Sequence, residues 1–377
     1  GSLFVRKAKG KTLDIIKLIL AKFMASVLYS NLFVKKKIIK NPDEDFSQPA
    51  VIIANHTSFL DILVIAMTTH KMVFLVNNWV YDSPIFGKIV KALGFYPVSQ
   101  GIENGIETLR EKVNQGYSLI VFPEAARSFS NDIKRFHKGA FYLAEEFGID
   151  ILPIYIHGNS EVLPKGDCII YDGSITVKIG ERIRNDNGSF GTTYSERSKK
   201  INAHFREEFA KLRSEIEDEN YFKKKLFLSF LYKESDVVKE IKKDFNTNKS
   251  VYFELNKHIA KDATILHIAD DFGQKDFLLT MQQASRNIFS FIKNQEKRAI
   301  AEQNYVVKRR KLNYIQHLSD VHKSIDVILI SDQNFDLSEI QNLPETVIFL
   351  NAENSLSDHF EFNLIHNTES IKIMRRK

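Results

Sequence analysis

Residues 50–67 read Ala50-Val51-Ile52-Ile53-Ala54-Asn55-His56-Thr57-Ser58-Phe59-Leu60-Asp61-Ile62-Leu63-Val64-Ile65-Ala66-Met67. The first five are small or β-branched and wholly apolar, and Pro49 and Asn55 bound them. That composition predicts a short strand buried on both faces. Thr57 or Ser58 can cap a helix that carries Leu60, Ile62, Leu63, Ile65 and Met67 inward. Working outward, the same alternation repeats. Met72–Val76, Phe95–Val98, Ser118–Phe122, Ile151–Ile156 and Ile175–Ile179 read as strands. Helices are expected near Pro84–Leu93, Ile102–Asn114, Phe136–Glu146 and, long and charged, Tyr194–Glu217. Strands alternating with helices argue an α/β sandwich.

An aromatic-rich stretch, Tyr221–Tyr232, follows, and from about Asp236 the pattern restarts. Helices are expected at Val237–Phe245, Phe277–Ala284 and Gln295–Tyr305, and strands at Thr264–Ile268, Asn287–Ile292, Asp326–Ser331 and Thr346–Asn351. The expected organisation is a basic helical segment over 1–47, a first α/β domain over 48–203, a helical linker over 204–235 and a second α/β domain over 236–377. A length of 377 residues suits two domains and an appendage.

Composition narrows the classes. A 44% hydrophobic and 27% charged chain is neither disordered nor fibrous. A single cysteine, Cys168, excludes an internal disulfide and a cysteine-rich zinc site. The net charge of +6 is concentrated: residues 1–45 hold ten Lys/Arg against four Asp/Glu, the whole excess. Interleaved with Leu13, Ile16, Leu20, Phe23 and Val27, these lysines suit a helix lying on an anionic membrane surface. Nothing in them suits nucleic acid. The longest apolar stretch there, Phe23 to Val34, is short of the roughly twenty residues a spanning helix needs. No signal peptide is evident. Gly1-Ser2 reads as a cloning scar, so a piece of a longer protein is expected.

Four pieces carry chemistry. His56 and Asp61 stand five apart at a strand-to-helix turn. Residues five apart on a helix do not share a face, so they meet only if His56 precedes the first turn and folds back. The carboxylate would then fix the imidazole tautomer and stabilise the imidazolium formed when a proton is taken. Val121-Phe-Pro-Glu-Ala-Ala-Arg-Ser128 puts Glu124 and Arg127 at the exit of a buried strand, where open α/β sheets hold ligands. Arg135-Phe-His-Lys-Gly-Ala-Phe-Tyr142 adds basic groups and a glycine. Ile151-Leu-Pro-Ile-Tyr-Ile-His-Gly158 is the fourth.

In this order the pieces resemble the lysophospholipid (glycerolipid) acyltransferase family, over about residues 48–190. The resemblance implies that His56 is the general base and that Asp61 orients it. Glu124 and Arg127 would be the acceptor-binding pair, with Asn55, Ser58, Lys138 and Gly139 in the substrate-binding set. An acceptor hydroxyl would attack the thioester of acyl-CoA or an acyl carrier protein (acyl-ACP) directly, with no bound cofactor and no metal. Two departures stand out. Gln100, in Gly94-Phe-Tyr-Pro-Val-Ser-Gln100, occupies the place of a family arginine that contacts the acceptor phosphate, which makes a non-phosphate acceptor a competitor to lysophosphatidate. Ala125-Ala126 replaces Gly-Thr. Lys134, Arg135, His137 and Lys138 remain available for a phosphate or a phosphopantetheine arm.

Ala263-Thr-Ile-Leu-His-Ile-Ala-Asp-Asp-Phe-Gly273 resembles the first motif of class I S-adenosylmethionine methyltransferases. His267 replaces its acid, Ala269 and Asp271 replace glycines, and the strand Phe289-Ser-Phe-Ile292 ends without an acid. A Rossmann-like, methyltransferase-like domain without a cofactor site is expected, since side chains there obstruct cofactor approach. The domain order resembles the cytoplasmic tail of bacterial MMPL-type exporters, which implies a fused or neighbouring exporter and the cytoplasmic face of the inner membrane. The competing functions are a non-catalytic scaffold beside a transporter and an active methyltransferase.

Overall fold

The computed structural model describes residues 19, 34–69, 71–84, 87–92, 94–97, 105–128, 132–166, 170–340, 343–351 and 362–377. Gln100, Cys168 and all but one residue of the expected membrane helix before Val34 lie outside the described residues. The chain divides into two units, residues 1–213 and 214–377.

The described part of the first unit runs β1 (Val34–Ile39), β2 (Ala50–Ala54), α1 (Leu60–Ala66), β3 (Met72–Val76), α2 (Asn78–Tyr81), α3 (Gly87–Ala92), β4 (Tyr96–Pro97), α4 (Ile106–Asn114), β5 (Ser118–Val121), α5 (Gly139–Phe147), β6 (Asp150–His157), α6 (Asn159–Val162), β7 (Gly173–Ile179) and α7 (Tyr194–Ile216). The sheet order is β1-β7-β6-β2-β5-β3-β4. Neighbours are parallel except β6 and β7. β2 sits mid-sheet between β5 and β6. All five of its residues are fully buried, as an unbroken apolar run in a two-sided sheet requires. The carboxyl ends of β2 and β5 lie side by side, and the two chemical motifs leave the sheet there.

Two expected boundaries change. Residues 34–39, assigned to a helical segment, form the edge strand β1, paired with β7. Val34 is buried and Lys35 and Lys37 are exposed; lysines on an edge strand discourage pairing with another chain. The stretch 204–235 is not a separate linker. Its first part continues α7, where Phe205 packs on Phe136 and Tyr155 with ring centroids 5.3 and 4.5 Å away. Its later part, from Phe222 to Phe230, is built into the core of the second unit.

That unit comprises α8 (Lys223–Ser229), α9 (Ser235–His258), β8 (Thr264–Ala269), α10 (Gln274–Gln282), β9 (Asn287–Ile292), α11 (Gln295–Glu302), β10 (Leu312–Ile315), β11 (Val327–Ile330), β12 (Thr346–Leu350), β13 (Phe362–Asn367) and β14 (Ile371–Arg376). Its sheet is ordered β10-β9-β8-β11-β12-β14-β13. The strands are parallel through β12, and β14 is antiparallel to both of its neighbours. The order in which successive strands are added across the sheet reverses between β8 and β11, the switch point of a Rossmann-like doubly wound sheet. Both units are therefore α/β, as expected.

Candidate active site

His56 follows the end of β2, ahead of the first turn of α1. Its Nδ1 lies 2.8 Å from Asp61 Oδ2. The same oxygen accepts the backbone N–H groups of Thr57 at 2.7 Å and Ser58 at 2.9 Å. Asp61 Oδ1 accepts Asn159 Nδ2 at 2.6 Å. Asp61 is thus a buried acceptor surrounded by donors. It closes the turn, which is how two residues five apart come into contact. Because it accepts, the His56 proton sits on Nδ1, and Nε2 keeps its lone pair. The imidazole stacks on Phe122 with centroids 4.1 Å apart and planes 17° from parallel. His56 is 18% exposed, enough to be reached, and it lines a cavity.

That cavity measures about 760 Å³ and is mostly apolar, walled by Leu60, Leu63, Val76, Val80, Val90 and Phe95. Its ionisable groups are His56, Arg127, His137 and Lys165, all able to carry positive charge, and Asn77 adds a neutral amide. The volume suits a ligand with a long apolar part and a few polar atoms.

Glu124 and Arg127, expected as one acceptor-binding pair, are not paired with each other. Glu124 is 4% exposed. Its Oε1 accepts His56 N–H and its Oε2 accepts Lys134 N–H, both at 2.9 Å. Burial pushes its pKa up against the pull of those two amides. Glu124 braces the His56 turn against the 132–138 loop. Ser128 N–H donates to His56 O at 2.7 Å and ties the same turn from the other side. Arg127 does face the cavity, its guanidinium 3.8 Å from the centroid of the Phe59 ring. Lys165 Nζ donates to Arg127 O at 3.0 Å. Burial, with Lys134 and Arg127 nearby, lowers the Lys165 pKa.

Two more expected substrate contacts turn inward. Asn55 is fully buried, and its amide both donates to Ile156 O and accepts Ile156 N–H at 2.8 Å. Ser58 Oγ donates to Leu163 O at 2.8 Å and accepts Leu60 N–H at 3.2 Å. Both side chains are engaged by backbone groups packed around the turn. Gly139 lines the cavity; Lys138 is exposed on its flank.

Sequence reasoning missed Asn159 and Lys165. Asn159 stands one residue past the quoted strand motif. Gly158 delivers it at φ 91°, where a Cβ would collide with Ser174 O. Ala125 also has positive φ, 60°, without being glycine. An alanine in the left-handed region costs about 1 kcal/mol. Ala125→Gly is therefore expected to raise the unfolding free energy by up to about 1 kcal/mol in denaturant titration, less the added unfolded-chain entropy. A clear loss of stability would contradict this strain.

Residues 33–157 match the Acyltransferase family model. The first unit carries an acyltransferase-family domain. The chain is 29% identical over 171 residues to the chloroplastic 1-acyl-sn-glycerol-3-phosphate acyltransferase LPAT1 of Arabidopsis thaliana, a match covering 44% of this chain and 48% of that protein. It spans less than half the length of that relative. Among solved structures, the 1-acyl-sn-glycerophosphate acyltransferase PlsC of Thermotoga maritima aligns with a TM-score of 0.49 at 22% identity, covering 58% of this chain and 89% of that one. A putative caffeoyl-CoA O-methyltransferase of Staphylococcus aureus aligns at 0.30 and 13%, covering 41% and 99%. The acyltransferase family match ends at His157, so it stops just short of Asn159. Among the described residues, no group of three or more His, Cys, Asp or Glu is placed to hold a metal.

Outside the acyltransferase domain, the end of β8 is filled by the chain itself. Asp271 accepts Lys275 Nζ at 2.8 Å and Gly273 N–H at 2.7 Å. Burial alone would raise the Asp271 pKa; the ammonium and hydrogen bonds outweigh it and hold it low. Phe272 is buried, and a Cβ on Gly273 would strike the Tyr314 hydroxyl. His267, in place of the motif acid, holds Asp276 at 2.6 Å and Ser331 at 2.8 Å.

Proposed function

We propose that the first unit transfers an acyl group from a CoA or acyl-carrier-protein thioester to the hydroxyl of a lysolipid whose headgroup is anionic. The observation that carries this reading is the His56–Asp61 pair opening onto an apolar cavity lined by the cations Arg127 and Lys165 and by no acid. The acyl chain of donor or acceptor lies along Leu63, Val76 and Phe95. The acceptor hydroxyl meets His56 Nε2, which takes its proton as the oxygen attacks the thioester carbonyl. Asp61, held by Asn159, stabilises the imidazolium. That proton then passes to the departing thiolate. No covalent enzyme intermediate is needed, and among the described residues no Ser or Cys lines the cavity.

Arg127 and Lys165 receive the headgroup anion, whether phosphate or carboxylate. This leaves room for a lysophosphatidate-type acceptor and for a non-phosphate one. The chemistry belongs at a membrane surface, where such acceptors are found, and no described helix is long and apolar enough to cross one. The filled β8 end supports a methyltransferase-like unit that does not use S-adenosylmethionine. With purified protein, an acyl-CoA and a lysophosphatidate, Arg127→Leu is expected to raise KM for the lysolipid about tenfold, in line with a lost charged hydrogen bond, with a smaller change in kcat. An unchanged KM would reject Arg127 as the headgroup contact.

A further inference from the structure

The second unit carries an apolar groove that the catalytic reading does not use. It measures about 410 Å³ and lies between α8 and α9, with Phe227, Leu228, Leu231 and Val238 as its floor and Lys223, Lys224 and Lys242 around it. No acidic residue lines it. α8 is two-faced: Leu226, like Phe230 just after the helix, enters the core, and Leu228 faces the groove. At the turn into α9, Leu231 is 56% and Tyr232 95% exposed. The two stand side by side, an apolar side chain and an amphipathic ring both open to solvent at the crest of the helix pair.

We propose that this face docks on the surface of an anionic phospholipid bilayer. Leu231 and Tyr232 enter the boundary between headgroups and acyl chains, and the groove receives the end of a lipid chain. Lys223 and Lys242 stand 5.8 Å from the centroid of the Phe227 ring. Their stems cover the apolar floor while their ammonium groups reach lipid phosphates, as lysines at interfaces do. Apolar side chains on the crest with lysines around them form the pattern of a helix pair lying in an interface. The charge disfavours an apolar partner, which would desolvate three ammonium groups while offering them no counter-charge. The proposal is independent of acyl transfer in the first unit.

The test is a local probe on the full chain. Leu231→Cys in a Cys168→Ser background is labelled with an environment-sensitive nitrobenzoxadiazole dye and mixed with vesicles of phosphatidylcholine, with and without phosphatidylserine. The expected result is a blue-shifted, brighter emission that requires phosphatidylserine. Lys223→Glu with Lys242→Glu should weaken the response by at least about fivefold per lysine. A chain that floats with the vesicles while the dye stays unshifted would overturn the proposal, because another segment would then make the contact. A shift without vesicles would overturn it too, since another part of the chain or a second copy would cover the face.

Discussion

His56→Ala is expected to lower kcat for acyl transfer about 10³-fold, the range a lost general base produces. The variant should remain folded. The ring makes one side-chain hydrogen bond and one stack, on Phe122. Losing the stack costs about 1 kcal/mol. The backbone N–H that holds Glu124 survives the substitution. Thermal unfolding should therefore stay cooperative while turnover collapses. A decrease of only a few fold, in a sample that melts normally, would remove His56 from the chemistry.

Asp61→Asn is expected to cost about as much, roughly 10²–10⁴-fold in kcat, for a different reason. Three donors converge on Asp61 Oδ2 and one reaches Oδ1. An asparagine can keep its oxygen toward His56, Thr57 and Ser58 only by aiming its NH₂ at the NH₂ of Asn159. Asn159 can then rotate its amide, because its Oδ1 is buried without a donor among the described residues. The turn and the His56 tautomer survive, but the charge that stabilises the imidazolium is gone. The check is a pair of measurements: unfolding close to wild type, and a deep loss in turnover. If Asp61→Asn unfolds the chain, Asp61 is chiefly a strut; if it turns over normally, it has no role beyond the turn.

The His56–Asp61 contact was legible because the residues that make it also end a buried strand. An apolar pentapeptide followed by Asn-His-Thr-Ser leaves the imidazole at a sheet's carboxyl edge, whatever the remaining topology. The carboxylate in the first helical turn then has nearby amides to cap. The hydrogen bonds of Asn55, Ser58 and Glu124 were not legible, for a related reason. Sequence shows a polar group near a site but not the direction it faces: Asn55 pairs with the Ile156 backbone, Ser58 with Leu163 and Leu60, and Glu124 with the amides of His56 and Lys134. Asn159 and Lys165 were invisible because neither spacing nor periodicity links them to His56; strand β6 and the segment after it bring them in from about 100 residues away. In the fold, β1 was hidden by three lysines in a row, which read as solvated helix and serve as edge protection. β13 was hidden too, since Asn363, Leu364 and Ile365 are all exposed and its pattern does not alternate.

The most direct measurement is a product balance. Purified protein is incubated with an acyl-CoA and an isotopically labelled lysophosphatidate, and released thiol is compared with the diacylated lipid found by mass spectrometry. One ester formed per thiol released, and neither with His56→Ala, is the predicted result. Thiol release without lipid ester, or equal ester formation by His56→Ala, would contradict an imidazole-activated transfer to a lipid hydroxyl.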